Sequence, residues 1–279
     1  MPELPEVETV RSGLAGIVTG RTVLATRVLH PRPVRRHLPG PGDFEAALAG
    51  RTFGEPRRRG KFLWLPLDDG DAVVAHLGMS GQFRSDLPDA PLQPNTRVLW
   101  DLDDGRQLRF VDQRMFGGVW LSAGGATLPH EISHIALDPF DPGFDPVAVA
   151  HRVVRRTAGI KRLILDQTIV SGIGNIYADE SLWRARLHYD TPGSSLTVRR
   201  VAGLLRHAGE VMAASLVHGG TSFDRLYVDV NGSSGYHERS LEVYGREGQP
   251  CSRCGRPIVR EAFTNRSSYR CPSCQRPSR

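Results

Sequence analysis

The chain has 279 residues, a formal net charge of +6 and hydrophobic residues at 39% of its positions, which suffices for a core and for two or three domains. No apolar run approaches the roughly 20 residues that a membrane-spanning helix requires, so this class of protein is excluded. The excess charge lies at one end, because residues 245–279 hold eight arginines against two glutamates and the remainder balances at zero. A basic terminal segment of this kind indicates a polyanion as the partner.

The first residues place a proline beside a carboxylate, as Pro2 and Glu3. If Met1 is removed, the terminus is the secondary amine of Pro2. An α-amino group titrates at about 7.7–8.0, so much of it is a neutral nucleophile near pH 8. Such an amine can attack a sugar C1′ and form an iminium ion while Glu3 moves the proton. The alternative is an ordinary N terminus before a capped helix, because residues 5–17 carry apolar side chains at helical spacing.

Short β patterns follow the helix, from Thr22 to about Leu121. Asp-Asp-Gly turns at 68–70 and 103–105 each separate two such patterns, which predicts two hairpins. The predicted hairpins pair 61–67 with 72–76 and 98–102 with 107–111. Several short strands with such turns predict a sandwich or a barrel.

Two segments of this β region favour a chemical role. Arg59-Gly60-Lys61 puts a lysine at the start of a strand, after a glycine that permits close backbone approach. The alternative is a lysine that protects an edge strand from aggregation. The segment His76–Gly81 places Met79 in a turn of small residues. Its alternative is a hairpin turn with the methionine side chain in the core.

A stretch rich in Pro, Gly and Asp at 138–146 predicts a linker, and Asp145 with Pro146 predicts the N-cap and first residue of a helix. The glycines of 171–176 lie before a helix start, which suits a phosphate; the alternative is a tight interhelical turn. Residues 221–250 are polar and Gly-rich, which predicts a mobile loop. The predicted helices cover about 146–157, 160–168, 176–187 and 197–217.

All four cysteines lie near the C terminus, in two C-x2-C pairs with sixteen residues between them. Four thiolates at this spacing indicate a closed, structural zinc site. The alternative is a pair of disulfides or a redox dithiol. No apolar secretory segment opens the chain, so we expect a reducing compartment, which favours zinc. The four ligands are Cys251, Cys254, Cys271 and Cys274.

Six segments occur in an order that resembles one family, the bacterial formamidopyrimidine-DNA glycosylases. They are Pro2–Thr9, Arg59–Lys61, His76–Gly81, Asp112–Gly117, Ser171–Glu180 and Asn265–Cys271. The resemblance spans nearly the whole chain and implies an enzyme that removes oxidised purines such as 8-oxoguanine from duplex DNA.

The implied fold is multidomain α+β, with DNA across a cleft between two halves. It comprises an N-terminal catalytic β-sandwich with flanking helices (1–132), a linker (133–144), a helix–two-turn–helix domain with a lesion-capping loop (145–244) and a zinc-finger β-hairpin with four cysteine ligands (245–279). The resemblance further implies one structural zinc ion and no catalytic metal. The implied protein is a monomer in the bacterial cytoplasm that works on nucleoid DNA containing oxidised bases or abasic sites.

The resemblance also implies roles for single residues. Pro2 is the nucleophile and Glu3 the acid/base, with Lys61 and Arg266 as further catalytic residues on phosphates and Glu6 in support. A flipped base leaves a gap that Met79, Arg114 and Phe116 fill. The implied DNA contacts also include His76, Lys161, Asn175 and Tyr236, the last in a loop over the extruded base.

The resemblance has one departure, at the segment that enters the helix. The family usually has Asp-Pro-Arg-Arg-Phe-Gly there, whereas this chain has Gln113 and Met115 in place of the proline and the second arginine. Two alternatives remain: an endonuclease VIII-type enzyme for oxidised pyrimidines, which Leu4 argues against, and a non-catalytic zinc-dependent DNA-binding protein. The intact Pro2 and Glu3 argue against the second.

Overall fold

The structure is a computed structural model that describes residues 2–217 and 241–277. It divides into two compact units, one of residues 2–134 and the other of residues 135–217 with 241–277. Within the described ranges, no helix has both the length and the apolar character that crossing a bilayer requires.

The first unit begins with helix α1, Leu4–Val18, which confirms the helix predicted from the spacing of apolar residues. Glu3 is its N-cap residue, and a capping box joins it to Glu6. The buried positions Val7, Val10, Leu14 and Val18 recur at three- and four-residue intervals on one face of the helix. This face holds α1 against the sheets.

Eight strands follow, with helix α2 at Pro41–Leu48. The strands are β1 Val23–Val28, β2 Arg57–Arg59, β3 Phe62–Pro66, β4 Ala72–His76, β5 Gly81–Asp86, β6 Thr96–Leu102, β7 Gln107–Asp112 and β8 Gly118–Ser122. One sheet has the order β1-β6-β7-β5 and the other β2-β3-β4-β8, and all neighbours are antiparallel. Both predicted hairpins are confirmed, as β3–β4 and β6–β7.

One buried cluster joins the two sheets and both helices. Alternate residues of β3 and β4 enter it, as the two-residue period of a strand requires. Examples are Leu63, Leu65, Val73 and Ala75, all at most 1% exposed. The sequence-based expectation of a sandwich is therefore confirmed for this unit.

The second unit is helical and ends in a β-hairpin. Its elements are α3 Pro146–Val153, α4 Ile160–Leu165, α5 Asn175–Arg184, α6 Val198–Val217, β9 Val259–Phe263 and β10 Arg266–Arg270. Asp145 caps α3 as predicted, because its Oδ1 accepts the Val147 N–H at 2.8 Å.

Three helices end earlier than predicted, and each has its own reason. After α3 the backbone turns to a new partner, since the Arg156 carbonyl accepts from Ser194 N at 2.8 Å. After α4 the Asp166 carboxylate accepts the Thr168 N–H at 2.9 Å, which forms a turn in place of a further helical turn. After α5, Arg186 adopts a left-handed φ of 54°.

The prediction of a mobile loop over 221–250 is wrong for residues 241–250 and lies outside the described residues for the rest. Leu241 and Val243 are 3% and 0% exposed. Val243 packs with Trp183, Cys251 and Ile258. Leu241 and Val243 are therefore buried, and Val243 belongs to the core beside the hairpin.

Candidate functional site

The N-terminal pair lies at the start of α1, where the cap fixes it. Pro2 is buried, and Glu3 is only 2% exposed. The Glu3 N–H donates to Oε2 of Glu6 at 2.8 Å, and the Glu3 side chain accepts the Glu6 N–H in return. Both carboxylates are thus held in place beside Pro2 by backbone hydrogen bonds. Met1 lies outside the described residues.

Lys61 lies in the turn between β2 and β3, one residue before the strand begins. Gly60 precedes it with a left-handed φ of 56°, which a glycine adopts without strain. The Lys61 side chain is 9% exposed, which is unusual for a lysine. Helix α1 packs against both β2 and β3, so the turn that carries Lys61 joins two strands that contact α1.

His76 ends β4 opposite Phe62, and their rings lie 4.7 Å apart. Burial, together with the positive charges of Arg36, Lys61 and Arg35, lowers the pKa of His76 to about 4. The ring is therefore neutral at pH 7. Its Nδ1 accepts the Gly78 N–H at 3.1 Å, which leaves Nε2 as the donor of the neutral ring. His76 can donate a hydrogen bond to an anion but does not contribute a charge.

The structure brings together the two segments that carry the predicted gap-filling residues. Met79 lies in the turn between β4 and β5, and Phe116 in the loop between β7 and β8. A Cβ at Gly78 would lie 2.3 Å from Gly117 N, so only glycine allows this approach of the two backbones. Met79 is half-buried, which differs from the core position that its alternative reading predicts.

Asp112 holds these two segments in register. Its buried carboxylate accepts from Ser80 Oγ at 2.6 Å and from Gly117 N at 2.8 Å. Ser80 Oγ in turn accepts the Arg114 N–H at 2.8 Å. This network fixes the backbone on both sides of the loop tip, where the departure from the family sequence lies.

The tip itself is exposed. Phe116 is 49% exposed, and the Arg114 guanidinium lies 5.6 Å from the centre of its ring. Met115 adopts a left-handed φ of 54°, which is uncommon for a residue other than glycine. Arg35 donates to the carbonyl oxygen of Gly117 at 2.9 Å and supports the loop from outside. A planar cation and an aromatic ring are therefore presented to solvent on a rigid base.

The second unit contains the other predicted contacts. Asn175 is the first residue of α5 and follows the predicted glycine turn. Its Nδ2 donates to the Ser267 carbonyl of β10 at 2.9 Å, while its Oδ1 is buried without a hydrogen bond among the described residues. Arg266 is exposed at the first position of β10, and the nearby Thr264 turns the hairpin with a φ of 52°. Asn175 and Arg266 therefore lie on adjacent, directly hydrogen-bonded segments.

The side chain of Lys161 lies in the interior, whereas the resemblance implies that it contacts DNA. Its side chain is 0% exposed, and its Nζ lies 2.7 Å from Oδ1 of Asp179. The ammonium also lies 4.7 Å from the centre of the Phe263 ring. The expectation is therefore corrected: Lys161 is a buried counter-ion beneath the hairpin rather than an accessible cleft lysine.

The sequence alone indicates no role for Asp179 or Glu180, although both lie in Ser171–Glu180, one of the six segments that resemble the family. Asp179 accepts from Ser268 Oγ and from Tyr269 N, both at 2.9 Å. Glu180 accepts three consecutive N–H groups at 2.9 Å, those of residues 242–244. Burial raises the pKa of both carboxyl groups, that of Asp179 to about 6 against the opposing effect of Lys161. Two adjacent carboxylates of α5 thus bind the hairpin and the segment before it.

The four cysteines form the predicted cluster. Their sulfur atoms all lie within 4.8 Å of one another. Trp183 Nε1 donates to Cys251 Sγ at 3.4 Å, which orients one ligand from outside the cluster. Thiolates in a tetrahedron about a zinc ion, with Zn–S distances of about 2.3 Å, would be separated by less than 4 Å, so the set suits this metal. The described cysteines are unbridged, which contradicts the disulfide alternative.

Tyr236 lies outside the described residues, so its implied contact with the extruded base stays a prediction.

Three family models match the chain. The model of the formamidopyrimidine-DNA glycosylase N-terminal domain covers residues 1–119, that of the H2TH domain of the same enzyme residues 135–225, and that of a zinc finger found in FPG and IleRS residues 248–277. Among curated proteins, a formamidopyrimidine-DNA glycosylase of Nocardioides sp. is 63% identical, over 99% of this chain and 94% of that protein. The protein of the same name from Salinispora arenicola is 57% identical over 100% and 98%.

Solved structures of similar chains contain damaged DNA. A variant of the Lactococcus lactis FPG in complex with DNA containing Fapy-dG has a TM-score of 0.91 and 32% identity, over 99% of this chain and 100% of that chain. The Lactococcus lactis Fpg with abasic-site DNA has a TM-score of 0.89, again at 32% identity and the same coverage. The wild-type Lactococcus lactis protein with DNA containing an oxidised pyrimidine gives the same three values as the abasic-site complex.

Proposed function

The chain belongs to the formamidopyrimidine-DNA glycosylase family, and we propose that it removes oxidised purines from duplex DNA and then cleaves the abasic site. The observation that carries this assignment is the buried Pro2–Glu3 pair, fixed by the capping box at the start of α1. The substrates are 8-oxoguanine and formamidopyrimidines. The non-catalytic alternative is not favoured, because the relatives named above are glycosylases.

The reaction begins when the Pro2 amine attacks C1′ of the damaged nucleotide. The N–C1′ bond forms as the bond to the base breaks with its electron pair on the base, and the amine loses its proton. Glu3 then delivers a proton to O4′ as the C1′–O4′ bond breaks, which opens the sugar ring and leaves an iminium ion between Pro2 and C1′. The iminium ion acidifies the C2′ proton, whose loss expels the 3′ phosphate. The conjugated iminium ion that results acidifies the C4′ proton, whose loss expels the 5′ phosphate. One amine therefore supports both base excision and strand cleavage.

The exposed loop of the first unit serves base extrusion. A base inside a duplex is unreachable, and turning it out costs a few kcal/mol. Met79 and Phe116 offset part of that cost when they stack in the gap, as apolar wedges do. Arg114 faces the orphaned base, since its guanidinium is already stacked on Phe116 and carries only donors.

The phosphate contacts come from both units and ignore sequence. Lys61 and a hydrogen bond from neutral His76 act from the first unit. Asn175 and Arg266 act from the second, where the Asn175–Ser267 hydrogen bond fixes their spacing. Lys161 acts indirectly, through Asp179 and the hairpin. Tyr236 contributes from the loop that covers the extruded base.

One structural zinc ion, held by the four cysteines, completes this assignment. A four-thiolate site has no open position for water, so its contribution is to fold the hairpin that presents Arg266. The chemistry of Pro2 and Glu3 requires no catalytic metal. We further propose that the protein acts as a monomer in the bacterial cytoplasm, on nucleoid DNA.

Single-turnover excision from a duplex with one 8-oxoguanine tests the assignment. Glu3→Gln should slow excision by about 10²–10⁴-fold, the usual loss of a general acid/base, with lesion affinity nearly unchanged. Glu55→Gln, an exposed carboxylate of the same unit, is the matched control and should cut at the wild-type rate. Parallel duplexes with an oxidised pyrimidine separate the purine enzyme from the endonuclease VIII-type alternative. Wild-type rates in Glu3→Gln would refute the assigned role of Glu3.

A further inference from the structure

A groove of about 270 Å³ runs along the first half of α6, apart from the residues assigned to DNA above. Its rim consists of Arg199, Arg200, Arg206 and His207. Ala185 and Gly203, both partly exposed, form its floor above the fully buried Leu204. A concave, apolar floor inside a cationic rim is a recognition surface for an anion that also carries an apolar group.

The three arginines of the rim carry positive charge without an acidic partner among the described residues. Within the part of the chain that the structure describes, Arg199, Arg200 and Arg206 form no ion pair. Glu210 is the only acidic residue of α6, and it pairs with His207 at 3.0 Å and with Arg184 at 3.8 Å. The three exposed guanidinium groups within two turns of one helix concentrate positive charge at the groove. An anionic partner would supply the counter-charge.

One residue of the groove, Gly203, is unfavourable for the stability of helix α6. Gly203 lies inside the helix, where alanine is more favourable, and an added Cβ would find only the end of the Arg206 side chain, at 3.8 Å. Packing therefore does not require this glycine. Gly203 keeps the groove open. Local rules broken without a structural reason indicate a functional surface.

The groove lies away from the proposed phosphate contacts. Ala185 of its floor directly follows the C-terminal end of α5, whereas Asn175 begins that helix. Ten residues of α-helix separate the two positions by about 15 Å. A duplex held at Asn175 therefore has its phosphate contact at the other end of this helix. Phosphate backbone also presents no apolar group that would occupy the floor.

We infer that this groove binds an acidic peptide segment of a partner protein. Carboxylates of the peptide pair with the three arginines, and one apolar side chain of the peptide occupies the floor over Gly203 and Leu204. The partner is thus recognised by the combination of negative charge and a single apolar anchor, which neither duplex DNA nor a purely acidic chain supplies. The surface serves recruitment and leaves the chemistry at Pro2 unchanged.

Fluorescence anisotropy with a labelled ten-residue peptide of Asp and Glu around one Phe tests the inference in the zinc-loaded full chain. The double variant Arg199→Glu/Arg200→Glu should weaken binding about 10-fold or more, since each exposed ion pair contributes a modest factor and the charge is reversed. Gly203→Gln keeps every charge and fills the groove. It should weaken the Phe peptide several-fold and leave a peptide with Ser in place of Phe unaffected.

The control is Arg155→Glu, an exposed charge reversal of the same unit, which should bind the peptide as wild type does. All variants should cleave lesion-containing duplex at the wild-type rate. Equal peptide affinity in wild type and the double variant would overturn the inference. A double variant that loses affinity for 30-bp undamaged duplex but not for the peptide would assign the groove to nucleic acid instead and would overturn it as well.

Discussion

Loss of Asp179 should strongly weaken the zinc hairpin. It is 1% exposed and forms a 2.7 Å ion pair with the fully buried Lys161. It also accepts hydrogen bonds from Ser268 Oγ and Tyr269 N of β10. Asp179→Ala leaves an uncompensated buried ammonium and two unsatisfied donors. Breaking a buried pair from one side costs about 3–5 kcal/mol, and the lost hydrogen bonds are part of that sum.

The cost should appear in the hairpin, where hydrogen exchange measures it locally. Each 1.4 kcal/mol changes an opening equilibrium tenfold, so exchange of the 259–270 peptide should accelerate by about two to four orders of magnitude. The matched control is Glu247→Ala, which removes an exposed carboxylate 3.9 Å from Arg260 of β9. Exposed pairs contribute at most about 1 kcal/mol, so this variant should exchange within about fivefold of wild type.

The double variant Lys161→Met/Asp179→Ala separates the buried charge from a general packing defect. Removing both partners also removes the uncompensated charge, so the double variant should be less destabilised than the sum of the two single variants by at least about 2 kcal/mol. Additive losses, or an Asp179→Ala hairpin that exchanges no faster than that of Glu247→Ala, would refute the reasoning.

Three further predictions concern other parts of the site. Burial and nearby cations lower the pKa of His76 from 6.5 to about 4, so the unfolded chain binds more protons between these values and stability falls as the pH falls from 6.5 to 4, by up to about 3 kcal/mol. In urea titrations, His76→Gln should lose less stability than wild type between pH 7 and pH 4.5, and equal losses in the two proteins would contradict this. Wild type should excise 8-oxoguanine opposite cytosine at least ~10-fold faster than opposite adenine, because a fork of donors matches the acceptors of cytosine. Single-turnover rates should show that Arg114→Ala flattens this ratio, and an unchanged ratio would remove Arg114 from base reading. Cys254→Ser should unfold residues 245–279 and abolish tight binding of damaged duplex, since structural zinc supplies folding free energy; wild-type affinity in a gel-shift titration would show that the hairpin does not contact DNA.

Features that depend on neighbouring residues could be predicted from the sequence. The α1 helix follows from the spacing of Val7, Val10 and Leu14, and the hairpins follow from the Asp-Asp-Gly turns. The cysteine cluster follows from the spacing of its ligands, because two C-x2-C pairs bring four sulfur atoms together once a hairpin forms. These signals are contained within short segments, so no knowledge of the tertiary fold was needed.

Features that depend on distant residues could not be predicted in this way. The end of α3 is set by a hydrogen bond from Ser194 to Arg156, and the position of residues 242–244 by Glu180, some sixty positions earlier. The burial of Lys161 follows from its pairing with Asp179, which no local pattern reveals. A signal was nevertheless available, since the two adjacent carboxylates lie between the apolar residues 176–178 and 182–183 of α5, and buried carboxylates require partners.

The central claim is that Pro2 is the nucleophile, and borohydride trapping tests it most directly. Intact-mass measurement first shows that Met1 is absent. Borohydride added to the protein and an 8-oxoguanine duplex should then reduce the iminium ion and trap a covalent protein–DNA adduct. Peptide mapping should place the adduct on the N-terminal proline. An adduct on Lys61 with Pro2 unmodified, or cleavage of the duplex without any trapped adduct, would contradict the account.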